Sequence, residues 1–328
     1  MLNPDAKLVE NVFADDIAQA GTRDGFGKGI VEAAKNDKNI VVLCADLKES
    51  TRTDAFEKAF PDRFIEVGVA EQGMATIASG MAAAGKIPFI ASYAAFSPGR
   101  NYEQIRTTVA LNHIGVKVMG MHAGISVGPD GATHQMLEDL ALMRVLPNMI
   151  VLNPADAEEA RKATLVAAQS PEPFYIRFGR SNTPSFTTSE TPFAVGKAVT
   201  LWKSDHPKVA LLSTGSLSYQ ALLAARSLDA EGIGSIVLHN PSVKPLDEVA
   251  IVDAVKTAGR ALAIEEHQAA GGFGSAVAEL LGEKYPAPLY RVGVRDRFGQ
   301  SGEPAELLAE YGLDAIHIAG AARRLLGG

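Results

Sequence analysis

Glu71 lies in the stretch FIEVGVAEQGM, residues 64–74, where an apolar run changes into a helical pattern. Burying a carboxylate without partners is costly, so a glutamate at this position needs a reason. Acidic residues are favoured in the first turn of a helix, and a helix-capping role is the ordinary explanation. The functional alternative is a carboxyl group in a semi-apolar cleft that shares a proton with a ligand nitrogen. Periodicity alone favours the cap.

The stretch MHAGISVGPDGATHQ, residues 121–135, carries His122, Asp130 and His134 among three glycines that lie between the two histidines. Glycine richness indicates a loop whose backbone approaches a ligand closely. A zinc site is disfavoured, because no two histidines share a helical turn and no cysteine is nearby. A polar loop that hydrogen-bonds hydroxyl groups fits the residue types, and two solvated loop histidines are the alternative.

The stretch SYAAFSPGRNY, residues 92–102, places Tyr93, Phe96 and Tyr102 near a glycine. Aromatic side chains at such spacing are usually core residues. These three could also form a flat slot for a heteroaromatic ring. The sequence leaves both interpretations open.

Three arginines are scattered along the chain, and any one of them alone is best explained as a surface residue. Together at one edge of a sheet they could hold a phosphate bidentately. They are Arg23, Arg100 and Arg180. The run GGFG, residues 271–274, lacks the full glycine fingerprint of a phosphate loop and indicates close helix packing instead.

Short apolar runs alternate with helical segments, which predicts doubly wound parallel sheets. The predicted strands are apolar on both faces, as covered parallel strands must be: 39–45, 64–69, 88–92, 116–121, 149–153, 174–178, 209–214, 234–239, 261–266 and 289–294. The predicted helices of the first part are 25–36, 71–84, 101–112, 135–145 and 155–169. The fold class is therefore α/β, with two doubly wound domains and mostly parallel sheets. A Ser, Thr and Pro-rich segment separates them, giving domains at 1–185 and 199–328 and a linker at 186–198.

Ligands collect beyond the carboxyl ends of the strands in open parallel sheets. Most of the polar candidates of the first domain follow such ends: Asp46, Ser50, Glu71, Tyr93, Phe96, His122, Asp130, His134 and Arg180. The corresponding edge of the second domain, in EEHQAAGGFG and RDRFGQSGEP, carries less chemistry. The sequence therefore predicts that the site belongs to the first domain.

Composition limits the class of partner. The chain has 328 residues, 47% of them hydrophobic and 21% charged, with a net charge of −7 and no basic run. These values predict a globular protein and argue against nucleic acid as the partner. No apolar stretch approaches 18 residues and no signal pattern opens the chain, so no membrane association is expected. The single cysteine, Cys44, lies in an apolar run and suits a reduced, cytoplasmic setting.

In combination the motifs resemble the C-terminal half of transketolase. The resemblance rests on RFIEVGVAEQGM, SYAAFSPGRNYEQIR, HAGISVGPDGATHQMLEDLALMRVLPNMIVLNPAD, IRFGRSNTP and EEHQAAGGFGSAVAE, which occur in this order over nearly the whole chain. It implies a pyrimidine-binding domain for thiamine diphosphate followed by a transketolase C-terminal domain.

The resemblance also implies a partner. A full-length transketolase carries a further domain with Gly-Asp-Gly and a downstream Asn, which hold Mg²⁺ and the cofactor diphosphate. The stretch GPDGATH contains no such triplet. The chain is thus expected to be the C-terminal subunit of a split transketolase, with no metal ligands of its own. It would act with an N-terminal subunit in an α2β2 heterotetramer.

For the cofactor, the resemblance implies that Glu71 hydrogen-bonds a pyrimidine ring nitrogen and takes part in catalysis. Tyr93 and Phe96 would flank the pyrimidine. Asp46 would lie at the subunit interface beside the cofactor, and Arg100 and Tyr102 are further expected cofactor contacts.

For the substrate, the resemblance implies phosphate contacts from Arg23 and Arg180 and a contact from Ser50 near the phosphate end. Contacts to the ketose oxygens are expected from His122, Asp130 and His134, with the two histidines also catalytic.

The resulting expectation is transketolase activity of the EC 2.2.1.1 type on sugar phosphates of the pentose phosphate pathway. Three alternatives stay open: a split transketolase for an unusual sugar phosphate or sulfo-sugar, a 2-oxo-acid dehydrogenase β-type subunit, and a non-catalytic regulatory subunit.

Overall fold

Two parallel-stranded sheets organise the chain in the computed structural model, which describes residues 1–327. The elements of the first part are β1 (Gln19–Gly21), α1 (Thr22–Asn36), β2 (Ile40–Cys44), α2 (Lys48–Thr51), α3 (Asp54–Ala59), β3 (Phe64–Glu66), α4 (Glu71–Ala83), β4 (Ile87–Tyr93), α5 (Tyr102–Gln104), β5 (Lys117–Met121), α6 (Asp139–Arg144), β6 (Ile150–Leu152), α7 (Ala157–Gln169), β7 (Phe174–Arg177) and β8 (Asn182–Pro184). Those of the second part are β9 (Val199–Lys203), β10 (Pro207–Ser213), α8 (Leu217–Ala230), β11 (Gly234–His239), β12 (Ser242–Lys244), α9 (Glu248–Ala258), β13 (Ala261–Gln268), α10 (Phe273–Lys284), β14 (Leu289–Val294), α11 (Pro304–Glu310) and α12 (Ala315–Leu326).

The strand order confirms the predicted fold class. The first sheet runs β12-β6-β7-β5-β4-β2-β3, with only β12 antiparallel to its neighbour. The second runs β14-β13-β10-β11-β9, with only β9 antiparallel. Central strands such as β2 and β5 are buried at every residue, because helices cover both faces of the sheet.

Each of the ten predicted strands is present, but β3 differs from its prediction. It ends at Glu66 instead of residue 69, and it is a partly exposed edge strand where a buried strand was predicted. Gly68 adopts a left-handed backbone with φ of +67°, which ends the extended run.

Two predicted helices are also shorter than expected. In the segment 101–112, α5 has three residues and is followed by a π-helical turn, Ile105–Ala110. In the segment 135–145, the helix α6 begins only at Asp139. The preceding Met136 instead forms a β-bridge with Ala123, and this pairing keeps the chain extended.

The two parts exchange short segments. Strand β12 lies between two second-domain elements in sequence, yet it pairs with β6 in the first sheet. Residues near the N-terminus pack on the second core, where Ala6 and Val12 are buried. The predicted linker is attached to the first part of the chain, because Asp156 accepts hydrogen bonds from the backbone N–H groups of Phe186 and Thr187. The domain limits at 1–185, 186–198 and 199–328 therefore remain predictions.

Candidate active site

Five neighbouring strands of the first sheet, β3, β2, β4, β5 and β7, end at one edge, and most of the predicted residues follow these ends. Two of them adopt left-handed backbone, Asp46 with φ of +58° after β2 and His122 with φ of +52° after β5. This conformation costs free energy in a residue other than glycine, of the order of 1–3 kcal/mol, and such residues cluster at functional sites. The left-handed residues therefore lie at the same edge of the sheet as the predicted site side chains.

Glu71 is the first residue of α4 and is 1% exposed. Among residues 1–327 its carboxylate bonds two side chains: Arg100 Nη1 donates to Oε2 at 2.6 Å, and Ser92 Oγ donates to Oε1 at 3.4 Å. The capping explanation is therefore wrong, since the carboxylate faces the end of β4 instead of the N–H groups of its own helix. Asn101 donates to the backbone carbonyl of Glu71 at 3.1 Å and fixes the start of the helix.

Arg100 links the carboxylate to the aromatic residues. Its guanidinium carbon lies 4.7 Å from the centre of the Phe96 ring, while its side chain is 44% exposed. A guanidinium stacked on an aromatic face and paired with a carboxylate is held in one orientation. Arg100 thereby joins Glu71 and Phe96 into one group.

The predicted aromatic slot has four rings instead of the three expected. Tyr93 stacks on His122 with ring centres 4.1 Å apart and on Phe96 with centres 5.9 Å apart. His134 meets the edges of Tyr93 at 6.0 Å and Phe96 at 5.5 Å. The two histidines are therefore packed against aromatic rings, and the solvated-loop interpretation is wrong for His122, which is 2% exposed.

His122 is held neutral by its surroundings. Burial, together with the nearby charges of Arg23 and Arg180, lowers the pKa of His122 to about 3. Arg23 Nη1 lies 2.9 Å from His122 Nε2, and a guanidinium can only donate, so Nε2 accepts. The ring proton of the neutral imidazole then resides on Nδ1. Within residues 1–327 Nδ1 is buried without a hydrogen-bond partner.

The predicted phosphate residues lie beside this histidine. Arg23 also donates to the backbone carbonyl of Ser50 at 3.1 Å. Arg180 donates to the carbonyl of Val127 at 3.1 Å, and its Nε lies 3.9 Å from Asp130 Oδ2. Repulsion from neighbouring arginines contributes after burial to a lowered pKa for Arg23. Concentrated positive charge of this kind suits an anionic ligand.

Two predicted residues lie apart from these contacts. Tyr102 packs against the hydrophobic core of the sheet and does not join the four-ring stack. Asp46 is exposed, and its backbone N–H donates to Glu66 Oε1 at 2.8 Å. Within residues 1–327 neither forms a hydrogen bond, an ion pair or a ring contact with Glu71, Arg100 or Phe96.

Three contributors were missed by the sequence analysis. Ser92 closes the strand run PFIAS and reaches Glu71, and Asn101 anchors the helix start. Arg52 pairs with Asp24 at 2.6 Å and adds to the charge around Arg23. The position of Ser92 at the end of an apolar strand was the available signal. In the described part of the chain, no three His, Cys, Asp or Glu side chains gather to hold a metal ion.

The comparisons with known proteins match both domains. Residues 18–185 match the family "Transketolase, pyrimidine binding domain", and residues 196–318 match "Transketolase, C-terminal domain". The chain belongs to the transketolase family.

Curated relatives of similar length come from several organisms. A candidate transketolase C-terminal section of Methanocaldococcus jannaschii is 40% identical, over 91% of this chain and 94% of that one. The 6-deoxy-6-sulfo-D-fructose transketolase subunit SqwH of Clostridium sp. is 39% identical, over 92% and 94%. An apulose-4-phosphate transketolase subunit of Phocaeicola vulgatus is 36% identical, over 89% and 93%.

Solved structures agree. A structure described as "Split gene transketolase, inactive beta4 tetramer" superimposes with a TM-score of 0.87 at 43% identity, covering 94% of this chain and 98% of that one. Transketolase from Campylobacter jejuni superimposes with a TM-score of 0.80 at 25% identity, and 96% of this chain covers 50% of that one.

The residues of this transketolase-family site fit the pyrimidine end of thiamine diphosphate, the cofactor of the family. Tyr93 and Phe96 supply stacked aromatic rings, and Glu71 supplies a buried carboxylate whose Oε1 has, among residues 1–327, only the long bond from Ser92. No helix in residues 1–327 has the length and apolar character needed to cross a bilayer.

Proposed function

We propose that this chain is the C-terminal subunit of a split transketolase that transfers a two-carbon ketol unit between sugar phosphates. The observation that carries the proposal is the unbroken series of contacts from Glu71 through Arg100, Phe96 and Tyr93 to His122. A carboxylate suited to a ring nitrogen, in the same group as a donor suited to a sugar oxygen, supports this reaction. A non-catalytic regulatory subunit would have no need of this arrangement.

The proposed partner is an N-terminal subunit that binds the cofactor diphosphate and Mg²⁺. Relatives that this chain covers almost end to end are named as sections or subunits, which supports separate chains. One related structure is named as a split-gene transketolase and as an inactive tetramer of β chains. We therefore expect this chain to be inactive alone and to assemble as two copies of each subunit. The exposed Asp46, at the sheet edge, is suited to contact the partner.

The cofactor, when bound, supplies the carbon nucleophile and the electron sink for the two-carbon fragment. Glu71 Oε1 would hold the proton shared with the pyrimidine ring nitrogen, while Oε2 stays bonded to Arg100. Tyr93 and Phe96 would pack on the ring and exclude water from that proton. Because Arg100 already orients Glu71, this side chain would need no rearrangement when charge develops during the reaction.

The substrate would bind across the two histidines. His122 carries its proton on Nδ1 and can donate it to a ketose oxygen, and His134 stands against the same aromatic rings. Asp130 would accept from a sugar hydroxyl. Arg23 and Arg180, with Ser50 nearby, would bind the terminal phosphate through charge-assisted hydrogen bonds.

A second candidate substrate class is sulfo-sugars. One relative at 39% identity is named for 6-deoxy-6-sulfo-D-fructose and another at 36% for apulose 4-phosphate. A sulfonate and a phosphate are both tetrahedral anions that arginines can bind. Xylulose 5-phosphate as donor, with ribose 5-phosphate or erythrose 4-phosphate as acceptor, is the pair to assay first, and sulfo-fructose is the second donor to assay.

The test is reconstitution. The purified chain is mixed with a candidate N-terminal subunit that carries the Gly-Asp-Gly and Asn pattern, with thiamine diphosphate and Mg²⁺, and ketol transfer is measured. Activity is expected from the mixture and from neither chain alone. Activity of this chain alone would overturn the split arrangement. A complex that binds cofactor and shows oxidative decarboxylation of 2-oxo acids, or no turnover, would overturn the transketolase assignment.

A further inference from the structure

The loop 124–135 joins the two histidines and lies between the proposed substrate site and the second domain. On one side, Arg180 and Ser181 bind its backbone: Ser181 Oγ donates to the Ser126 carbonyl at 2.7 Å, and Arg180 donates to Val127. On the other side the loop meets the ends of β13 and β14. Residues of both domains therefore fix the conformation of the loop.

Glu266, near the end of β13, is the first contact from the second domain. It is 4% exposed, and its Oε1 accepts the backbone N–H of Ser126 at 2.7 Å. Gly124 is required beside it, since a Cβ there would lie 2.3 Å from Glu266 Oε1. The loop backbone thus closes directly over a buried carboxylate.

Gln135 is the second contact. It is 4% exposed, and its Nε2 lies within hydrogen-bond distance of three carbonyls: Ile125 at 3.0 Å, Gly128 at 3.2 Å and Gln300 at 2.9 Å. The first two belong to the loop itself and the third to the segment after β14. One amide therefore ties the start and the middle of the loop to the second domain.

A buried ion pair stabilises the contact between strand β13 and the residues that follow the loop. Arg177 Nε donates to Asp139 Oδ2 at 2.8 Å, and Arg177 Nη2 donates to the backbone carbonyl of Glu266 at 2.7 Å. The N–H of Gln268 donates to the carbonyl of Leu137 at 2.9 Å. Strand β13 is thus fixed against the residues that follow the loop, so Glu266 meets Ser126 at a set distance.

We propose that Glu266 and Gln135 are positioning residues through which the second domain holds loop 124–135 in its substrate-binding conformation. The consequence for sugar binding rests on the proposed function. Neither side chain would contact the sugar. Both act by fixing the backbone that carries Asp130 and leads into His134.

The experiment compares Glu266→Ala, Glu266→Gln and Gln135→Met with the unsubstituted chain. Hydrogen–deuterium exchange in the isolated chain reports on the amides of Gly131, His134 and Gln135, which bond within the loop and not to Glu266. Glu266→Ala and Gln135→Met should speed their exchange about tenfold or more. In the reconstituted enzyme the same two variants should raise KM for the sugar phosphate about tenfold, with kcat within threefold. Glu266→Gln keeps an oxygen acceptor for Ser126 and should restore both values.

Glu265→Ala is the matched control. Glu265 is an equally buried carboxylate on the same strand, but it accepts from Phe273 and Gly274 of α10 and does not touch the loop. Glu265→Ala should lower the unfolding free energy and leave loop exchange and KM unchanged. Unchanged exchange in Glu266→Ala and Gln135→Met, or an equal increase in Glu265→Ala, would overturn the proposal. If the unsubstituted complex shows no ketol transfer, the proposed function fails while the exchange measurement still decides the positioning role.

Discussion

Arg100 Nη1 lies 2.6 Å from Glu71 Oε2 and pairs an arginine side chain that is 44% exposed with a glutamate side chain that is 1% exposed. The two oxygens of Glu71 are therefore unequal. Within residues 1–327, Oε2 has a short charge-assisted bond, whereas Oε1 has only the 3.4 Å contact from Ser92. The oxygen suited to a ligand is therefore Oε1. The positive charge of Arg100 offsets the free-energy cost of burying the Glu71 carboxylate.

Replacing Arg100 with methionine should destabilise the fold, because it leaves the Glu71 carboxylate without its countercharge. A loss of about 1–3 kcal/mol in the free energy of unfolding is expected, the usual cost of an unsatisfied buried group. The double variant Arg100→Met, Glu71→Gln should recover part of it, since the amide carries no charge. Urea denaturation of the four proteins gives the coupling energy. Strictly additive effects would show that the pair is not energetically coupled.

Replacing Glu71 with glutamine should abolish most ketol transfer in the reconstituted enzyme. Loss of a positioned proton-sharing group typically lowers rates about 10²–10⁴-fold. The control is Glu159→Gln, another buried carboxylate of the same domain, which bonds His239 at 2.8 Å. That change should reduce stability and leave kcat within a few-fold. An unchanged kcat in Glu71→Gln would contradict the proposed mechanism.

The sheet was predictable because buried parallel strands are continuous apolar runs, visible without any tertiary information. The three-residue strands β1, β8 and β12 were missed, since their residues do not form a continuous apolar run. Strand β9 was also missed, as it lies directly after the segment interpreted as a linker. The edge of the sheet that bears the polar residues followed from strand direction alone.

The contacts within the site were less predictable, because each joins residues far apart in sequence. The polarity of Glu71 indicated a partner, but its pairing with Arg100 depends on how the turn after β4 folds back. Tyr102 was grouped with Tyr93 from spacing, yet it follows that turn and packs on the core. The Glu266–Ser126 bond crosses two domains, and no local pattern encodes it.

The unusual titration of His122 should appear in the pH dependence of stability. Burial beside Arg23 lowers the pKa of His122 to about 3, against about 6.5 in an unfolded chain. Between these values the unfolded state binds a proton that the folded state does not. The free energy of unfolding should therefore fall as pH falls below 6.5, by about 1.4 kcal/mol per pH unit.

His122→Asn removes this titration. Between pH 7.5 and pH 5 the unsubstituted chain should lose about 2 kcal/mol more stability than the variant. Urea denaturation at a series of pH values measures the difference. His206→Asn, at an exposed position, should keep the original slope. Parallel curves for His122→Asn and the unsubstituted chain would rule out a neutral, buried His122.

Arg180 offers the sharpest test of substrate binding. Its side chain is 36% exposed, bonds the Val127 carbonyl and lies 3.9 Å from Asp130, so it is anchored at the loop with donors to spare. Arg180→Ala should raise KM for phosphorylated sugars by about 10- to 150-fold, the equivalent of a charge-assisted contact of about 1.5–3 kcal/mol. KM for hydroxypyruvate, which has no phosphate, should change much less.

The control for Arg180 is Arg63→Ala. Arg63 bonds the carbonyls of Asp37 and Ala34 and stacks on Phe60, away from the sheet edge that carries the site. Its removal should lower stability and leave both KM values unchanged. If Arg180→Ala raised KM equally for the phosphorylated sugar and for hydroxypyruvate, Arg180 would be supporting the loop instead of binding the phosphate. Since that outcome would resemble the effect of Glu266→Ala, the ratio of the two KM values separates a phosphate contact from a positioning role.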